Sequence, residues 1–350
     1  MSFSTEKRES IRRYMLEKIR EDDSQFIAKT VENFQISVTS VKRYITECVE
    51  SGILESYDKA ATGFRLATKE KDFFYNLNEM LCEDKIYYSD IMPCLDNVTP
   101  EATKIWSYAF MEMMNNAIEH SKATQIRCRV TQDYLYTEIS IVDDGIGIFK
   151  NIQNYMKEER GIDVDYQDVI LELHKGKLTT NPKLHSGEGI FFTSKMLQEF
   201  VVWSEAVCFS TGYTERDKLI QSHLIYYYTK LNRIGTMLVM KLENQTTRKP
   251  KEVFDMFAPL EQGFVKTHIP LKEMCPYGEP IARSQARRIL YRLEEFRQVE
   301  FDFSGIEFMG QGFADEIFRV FQNKFPDIEL IPVHANEAVL GMIKHVRANL

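Results

Sequence analysis

The chain has 350 residues, 44% hydrophobic and 27% charged, with 44 Lys and Arg against 52 Asp and Glu for a formal net charge of -8. This is globular usage, enough for two or three domains and a core without disulfide or metal staples, and it excludes long disorder and collagen-like or fibrous structure. An acidic whole argues against a nonspecific nucleic-acid or membrane binder, while leaving room for a local basic face.

Cys48, Cys82, Cys94, Cys128, Cys208 and Cys275 lie far apart with no CxxC pair, which suits reduced thiols and gives no zinc signature. The opening MSFSTEKRESIRRYM lacks the apolar core of a secretory signal. No run of about 18 apolar residues occurs. A soluble, cytoplasmic protein with no membrane partner is expected.

Residues 5 to 66 predict three helices and a hairpin. Ile11, Met15 and Ile19 share one helical face, and Asp22, Asp23 or Ser24 can cap a second helix carrying Phe26, Ile27, Val31 and Phe34. After the break QIS, Val41, Tyr44, Ile45 and Cys48 give a third helix an apolar face; Gly52 stops it, and ILESY and GFRLAT read as two strands. Helix, turn, helix and hairpin is the order of a winged helix-turn-helix. The text SVTSVKRYITECVESGILE resembles the recognition helix and wing entry of many bacterial regulators. That resemblance implies a DNA partner met through Thr39, Ser40, Lys42 and Arg43, and a homodimer reading paired half-sites. Basic and acidic side chains balance over residues 1–70, so charge leaves a helical protein-interaction module open.

Residues 69–100 read as a helical connector. A long helix, EATKIWSYAFMEMMNNAIEHS, then runs into strands TQIRCRVT and YLYTEISIV. A helical stretch from Phe149 to about Lys177 precedes GEG and the helix IFFTSKMLQEF, and FVVWSEAVCFST, HLIYYYTKL and GTMLVMKLE read as strands. The polar, proline-bearing NQTTRKPKE marks a boundary near residue 250. The last part alternates strand and helix as a small α/β unit. The expected units are therefore 1–68, the connector 69–100, 101–248, a linker 249–262, and 263–350.

Three segments carry chemistry. Glu112, Asn116 and His120 recur at i, i+4, i+8 along one side of a helix whose other side holds Trp106, Phe110 and Met114. A carboxylate and an amide one turn apart can hold a hydrated magnesium and position a water or hydroxyl, though the same spacing also describes a solvated face. In IVDDGIGIF, Asp143 leaves a strand and can accept from an exocyclic amine while Gly145 and Gly147 leave room for a base; a plain tight turn is the alternative. Gly187, Glu188 and Gly189 open a helix, where free amides and the dipole attract phosphate, or where Ser186 is an ordinary cap. His174, His185, His223, His268, His334 and His345 show no ligand spacing.

In this order the three segments resemble the Bergerat-fold ATPases, the group of histidine kinases, anti-sigma serine kinases, gyrase, Hsp90 and MutL. The resemblance covers roughly residues 101–245 and implies an α/β-sandwich binding ATP and Mg2+. It assigns Glu112 to orienting or deprotonating the attacking group, Asn116 to magnesium, Asp143 to the adenine amine and the GEG backbone to the phosphates. His120 fits the E-x-x-x-N-A-x-x-H form of the anti-sigma kinases. Glu119 stands where histidine kinases often carry Lys, and IFF follows Gly189 where many kinases carry a further glycine. The stretch from about Asn151 to His185 corresponds to a lid, with Lys175, Lys177 and Lys183 facing phosphate or solvent. The segment VEFDFSGIEFMGQGFADEIF resembles a STAS-like domain, but Gly310, Gln311 and Gly312 occupy the loop where antagonists carry a phosphorylated serine. A docking role toward a protein partner follows.

The expected whole is an α+β multidomain protein: winged helix, Bergerat-type sandwich and STAS-like unit. Its expected function is ATP-responsive transcription regulation, in which Mg-ATP binding and lid closure change DNA or partner binding. The alternative is an anti-sigma-type protein kinase or slow ATPase with Glu112 as general base.

Overall fold

A computed structural model describes residues 4–77, 80–178, 187–212, 216–259, 263–275 and 278–348. It is a mixed α/β multidomain chain built around a large antiparallel sheet.

Helices α1 (Thr5–Arg20), α2 (Phe26–Phe34) and α3 (Val38–Glu50) are followed by a hairpin of β1 (Leu54–Ser56) and β2 (Phe64–Leu66). Ser4 caps α1 by accepting from the Lys7 amide, and Ser37 caps α3 by accepting from the Ser40 amide. The faces read from periodicity, with Ile11, Met15, Val41, Tyr44 and Cys48, close one core. Leu135 and Tyr136, at the turn between two central strands, complete that core.

Strand β3 (Lys69–Asn76) departs from the helical connector expected over residues 69–100. It pairs antiparallel along the whole of β4 (Gln125–Gln132), and only from α4 (Glu83–Ile86) to residue 94 does the segment run helically. KEKD opens the strand with charge on an outer edge, which hides it from a pattern search and protects that edge from further pairing.

The long helix α5 (Pro100–His120) starts at Thr99, whose hydroxyl accepts from the Ala102 amide, with Pro100 in the first turn. Strand β5 (Tyr136–Asp143) follows β4. Helices α6 (Ile148–Arg160), α7 (Tyr166–Lys175) and α8 (Gly189–Met196) precede β6 (Glu199–Ser204) and β7 (Val207–Thr211). FVVWSEAVCFST is thus two strands, turned at Glu205 and Ala206 with φ of 50° and 65°.

HLIYYYTKL, expected as a strand, belongs to helix α9 (Arg216–Tyr228). Ile220 and Tyr227, seven residues apart, place one stripe on Val142, Val201 and Val239. That stripe covers the second face of the sheet and explains why β5 is buried along most of its length. Strand β8 (Met237–Glu243) completes six antiparallel strands in the order β3-β4-β5-β8-β6-β7.

The expected linker 249–262 instead contains helix α10 (Pro250–Phe257). Phe254 and Phe257 face Phe192 and Phe191 at ring separations of 4.7 and 5.0 Å, because an apolar pair within one turn needs a wall. Beyond it, β9 (Lys266–Pro270), the short α11 (Leu271–Met274), α12 (Arg283–Leu290), β10 (Gln298–Asp302), a helical run 311–324, β11 (Glu329–Val333) and the helix Glu337–Arg347 alternate as expected. The three strands are parallel in the order β11-β10-β9. This unit and the central sheet share one continuous core through Phe191, Phe264 and Phe296.

Candidate functional site

Glu112, Asn116 and His120 come from α5, Asp143 from the end of β5, and Gly187 and Gly189 from the entry to α8; together they line one cavity of about 290 Å³. Its other wall is apolar, with Ile141, Ile148, Ile152, Leu173, Leu178 and Val202. The lining thus combines a few polar groups with apolar side chains, which is the usual makeup of a small-molecule site.

Asp143 is buried in the cavity lining. Its Oδ1 accepts from the amides of Gly145 at 2.8 Å and Thr236 at 3.3 Å. Burial pushes its carboxyl up to about 6, and the Gly145 and Thr236 bonds offset only part of that. The neighbouring Asp144 does different work: Thr124 and Gln125 amides and the Thr124 hydroxyl donate to it, closing the start of β4.

The glycines act through backbone space. A Cβ at Gly145 would stand 2.1 Å from the Ser121 carbonyl oxygen, so α5 and the β5 exit touch only without a side chain there. Gly147, at φ +88°, precedes α6 and leaves no room for a Cβ beside Ser204 Oγ. Neither Gly145, Gly147 nor Glu188, the residue capping α8, lines the cavity itself. Gly189 does, and a Cβ there would lie 2.3 Å from Glu112 Oε2.

Sequence reading missed Thr236 and Gly235. Thr236 lines the cavity, donates its amide to Asp143 and accepts from the Ile148 amide through Oγ1 at 3.0 Å. A Cβ on Gly235 would meet Asp143 Oδ1 at 2.5 Å. The signal was the Gly-Thr pair entering β8, which pairs beside β5. Asn151, also missed, lines the cavity and donates Nδ2 to the His120 carbonyl.

The lysines correct an expectation. Lys175 is buried, donating Nζ to Glu172 at 2.6 Å and to the Tyr291 carbonyl at 2.5 Å; Lys177 donates to the Glu295 carbonyl at 2.8 Å. Both bond to the C-terminal unit; Lys175 is withdrawn from solvent, whereas Lys177 stays partly exposed. Lys183, His185 and Ser186 lie outside the described residues.

Among the described residues no group of three His, Cys, Asp or Glu side chains surrounds a metal position. The lining includes the Glu112 carboxylate and the Asn115 and Asn116 amides, oxygen donors that suit a magnesium ion sharing oxygens with a bound phosphate.

On the N-terminal unit, Thr39, Lys42 and Arg43 are exposed on α3. Arg43 faces Glu47 at 3.5 Å, and the Ser40 hydroxyl is 3.0 Å from that of Ser37, one turn into the cap. Among the described residues no helix is long and apolar enough to cross a membrane.

Comparison with known families gives one assignment. Residues 285–340 match a STAS-like domain of unknown function (DUF4325), so the C-terminal unit is STAS-like. No curated protein matches the chain.

Proposed function

We propose that the protein is an ATP-binding regulator: a winged helix-turn-helix for DNA, a central Bergerat-type nucleotide domain and a STAS-like regulatory end, working in a reducing cytoplasm. The carrying observation is the convergence of three segments, from Glu112 to Gly189, on one cavity with the buried Asp143 in its lining. In this reading Asp143 accepts from the adenine amine, with Ile141 and Val202 among the apolar side chains that line the cavity. Asn116 is suited to hold magnesium against phosphate, with the Gly187–Gly189 backbone donating amides. When bound, magnesium nucleotide supplies a polarised phosphoryl group.

Binding can drive a change only if one arrangement takes nucleotide more tightly than another. The N-terminal core includes Leu135 and Tyr136, and Tyr136 begins the strand that Asp143 ends, so the two sites share a rigid element. Thr39, Ser40, Lys42 and Arg43 would meet DNA from α3, as one partner of a homodimer. The STAS-like domain would dock a protein partner.

The second reading is a serine/threonine kinase or slow ATPase, favoured by the Glu112 carboxylate on the cavity wall, where a general base must stand. One experiment addresses both. Calorimetry with Mg-ATP and an assay of released phosphate are run on wild type and Glu112→Ala. Binding by both proteins with turnover lost in the variant supports the enzyme; binding without turnover in either supports the switch. No binding by wild type sinks the proposal.

A further inference from the structure

The wall of the cavity is not held by the central domain alone. Leu173 and Leu178, which line it, flank the end of α7, and that end is tied to the STAS-like domain by polar contacts, His174 with Glu273 at 3.3 Å among them. Lys175 Nζ reaches the Tyr291 carbonyl, and the Thr267 hydroxyl donates to the Lys175 carbonyl at 2.8 Å. Lys177 Nζ donates to the Glu295 carbonyl. Arg292 donates Nη1 to Glu172 at 3.0 Å and Nη2 to the Lys177 carbonyl at 3.2 Å.

Arg292 is unusual in its backbone as well. Its φ is +62°, a conformation that non-glycine residues keep only where their surroundings impose it. Its guanidinium is also gripped by both Glu295 oxygens, at 2.7 and 2.8 Å, so the fork is fixed before it crosses to α7. Below it, Gly176 at φ +79° allows the Phe264 ring so close that a Cβ would stand 2.6 Å away. The far side of the same wall is equally tight: a Cβ at Gly187 would meet the Leu178 backbone at 2.6 Å. From Arg292 to the glycine entry of α8 there is a continuous run of fixed contacts.

We propose that Arg292 is a positioning residue for the cavity: by holding Glu172 and the Lys177 carbonyl it fixes the α7 wall, so that docking of the STAS-like domain sets nucleotide affinity. This rests on the nucleotide reading above and adds the regulation of that site. Coupling of this kind is reciprocal, so nucleotide must also tighten the docked domain. A signal that loosens the STAS-like domain releases nucleotide, and nucleotide resists that loosening.

The test uses the full chain and Mg-ATP as probe. Arg292→Ala is expected to bind Mg-ATP about tenfold more weakly, within the range usual for linked sites. Lys177→Met, which leaves the Arg292 contacts in place, is expected to lose a smaller factor. Hydrogen exchange on wild type is expected to show Mg-ATP slowing the amides of residues 291–295, although none of them lines the cavity. If Arg292→Ala does not fold, Lys177→Met and the exchange measurement decide. Wild type that fails to bind Mg-ATP overturns the nucleotide reading and this one with it. Wild type that binds, with folded variants of equal affinity and no protection at 291–295, overturns the clamp alone.

Discussion

Gly189 lies directly against Glu112: a methyl group at Gly189 would come within 2.3 Å of Glu112 Oε2. The φ of Gly189 is not in the left-handed region, and the atom it would strike is the end of a flexible side chain. Gly189→Ala is therefore expected to change stability by less than about 1 kcal/mol, since an added methylene that the site can accommodate by rotation costs little. On the kinase or ATPase reading, the displaced carboxylate no longer stands where an attacking oxygen would need it. Any phosphate release by wild type should fall at least tenfold with Tm nearly unchanged. Full turnover in Gly189→Ala would free Glu112 from the proposed role.

Asp143 gives a prediction with opposite signs for stability and binding. Its carboxyl is raised from 3.8 to about 6, so the folded protein holds the proton more tightly than the unfolded chain. That favours folding below pH 3.8 and is lost as pH rises through about 6; at pH 7 the buried charge costs about 3 kcal/mol. Asp143→Asn should raise stability at pH 7 by about 1 to 3 kcal/mol in urea unfolding, with the gain vanishing near pH 4. Mg-ATP affinity of the variant should drop, because the amide presents a donor toward the adenine amine. In wild type the affinity should weaken as pH falls below about 6, by up to about tenfold per pH unit. PH-independent binding between 5 and 7.5 would count against Asp143 as the adenine acceptor.

On the proposed DNA reading, the exposed face of α3 gives the binding an ionic component. Lys42 and Arg43 carry its basic charge, with Arg43 shared by Glu47. Lys42→Ala should weaken binding to all sequences alike and reduce the slope of log affinity against log salt by about one. Arg43→Ala should have a smaller effect, because part of its charge is already neutralised. Filter-binding titrations at several salt concentrations would show it. An unchanged slope in both variants would favour the protein-interaction alternative.

Tyr136 links the N-terminal helices to the sheet, its hydroxyl donating to Glu17 at 2.7 Å while Arg20 lies 4.1 Å over its ring. Tyr136→Phe keeps the ring and removes the bond, which should cost about 1 kcal/mol. Amide exchange in α1 should accelerate by up to about fivefold, the factor that energy corresponds to. If α1 exchange is unchanged, the hydroxyl does not secure the docking.

Much of the architecture was readable from local pattern. The apolar faces of α1, α3 and α5 and the alternation of the STAS-like end follow from helical and strand periods, which covalent geometry fixes wherever an element forms. The site segments were readable too, since a polar i, i+4 pair and glycines at element ends need no knowledge of the rest of the chain. What pattern could not supply was partnership. β3 is a charged edge strand recognisable only by the β4 it pairs with. α9 reads as a strand until the second sheet face that it covers is known.

By itself the amino-acid sequence determined which residues could do chemistry and in what order they come, because backbone geometry ties spacing to face. Only the tertiary structure decided that Lys175 and Lys177 serve the STAS-like domain, that Thr236 supports Asp143, and that Arg292 reaches α7 from 115 or more residues away. Such contacts depend on which apolar faces bury one another, and a buried charge takes whatever partner that packing brings within reach.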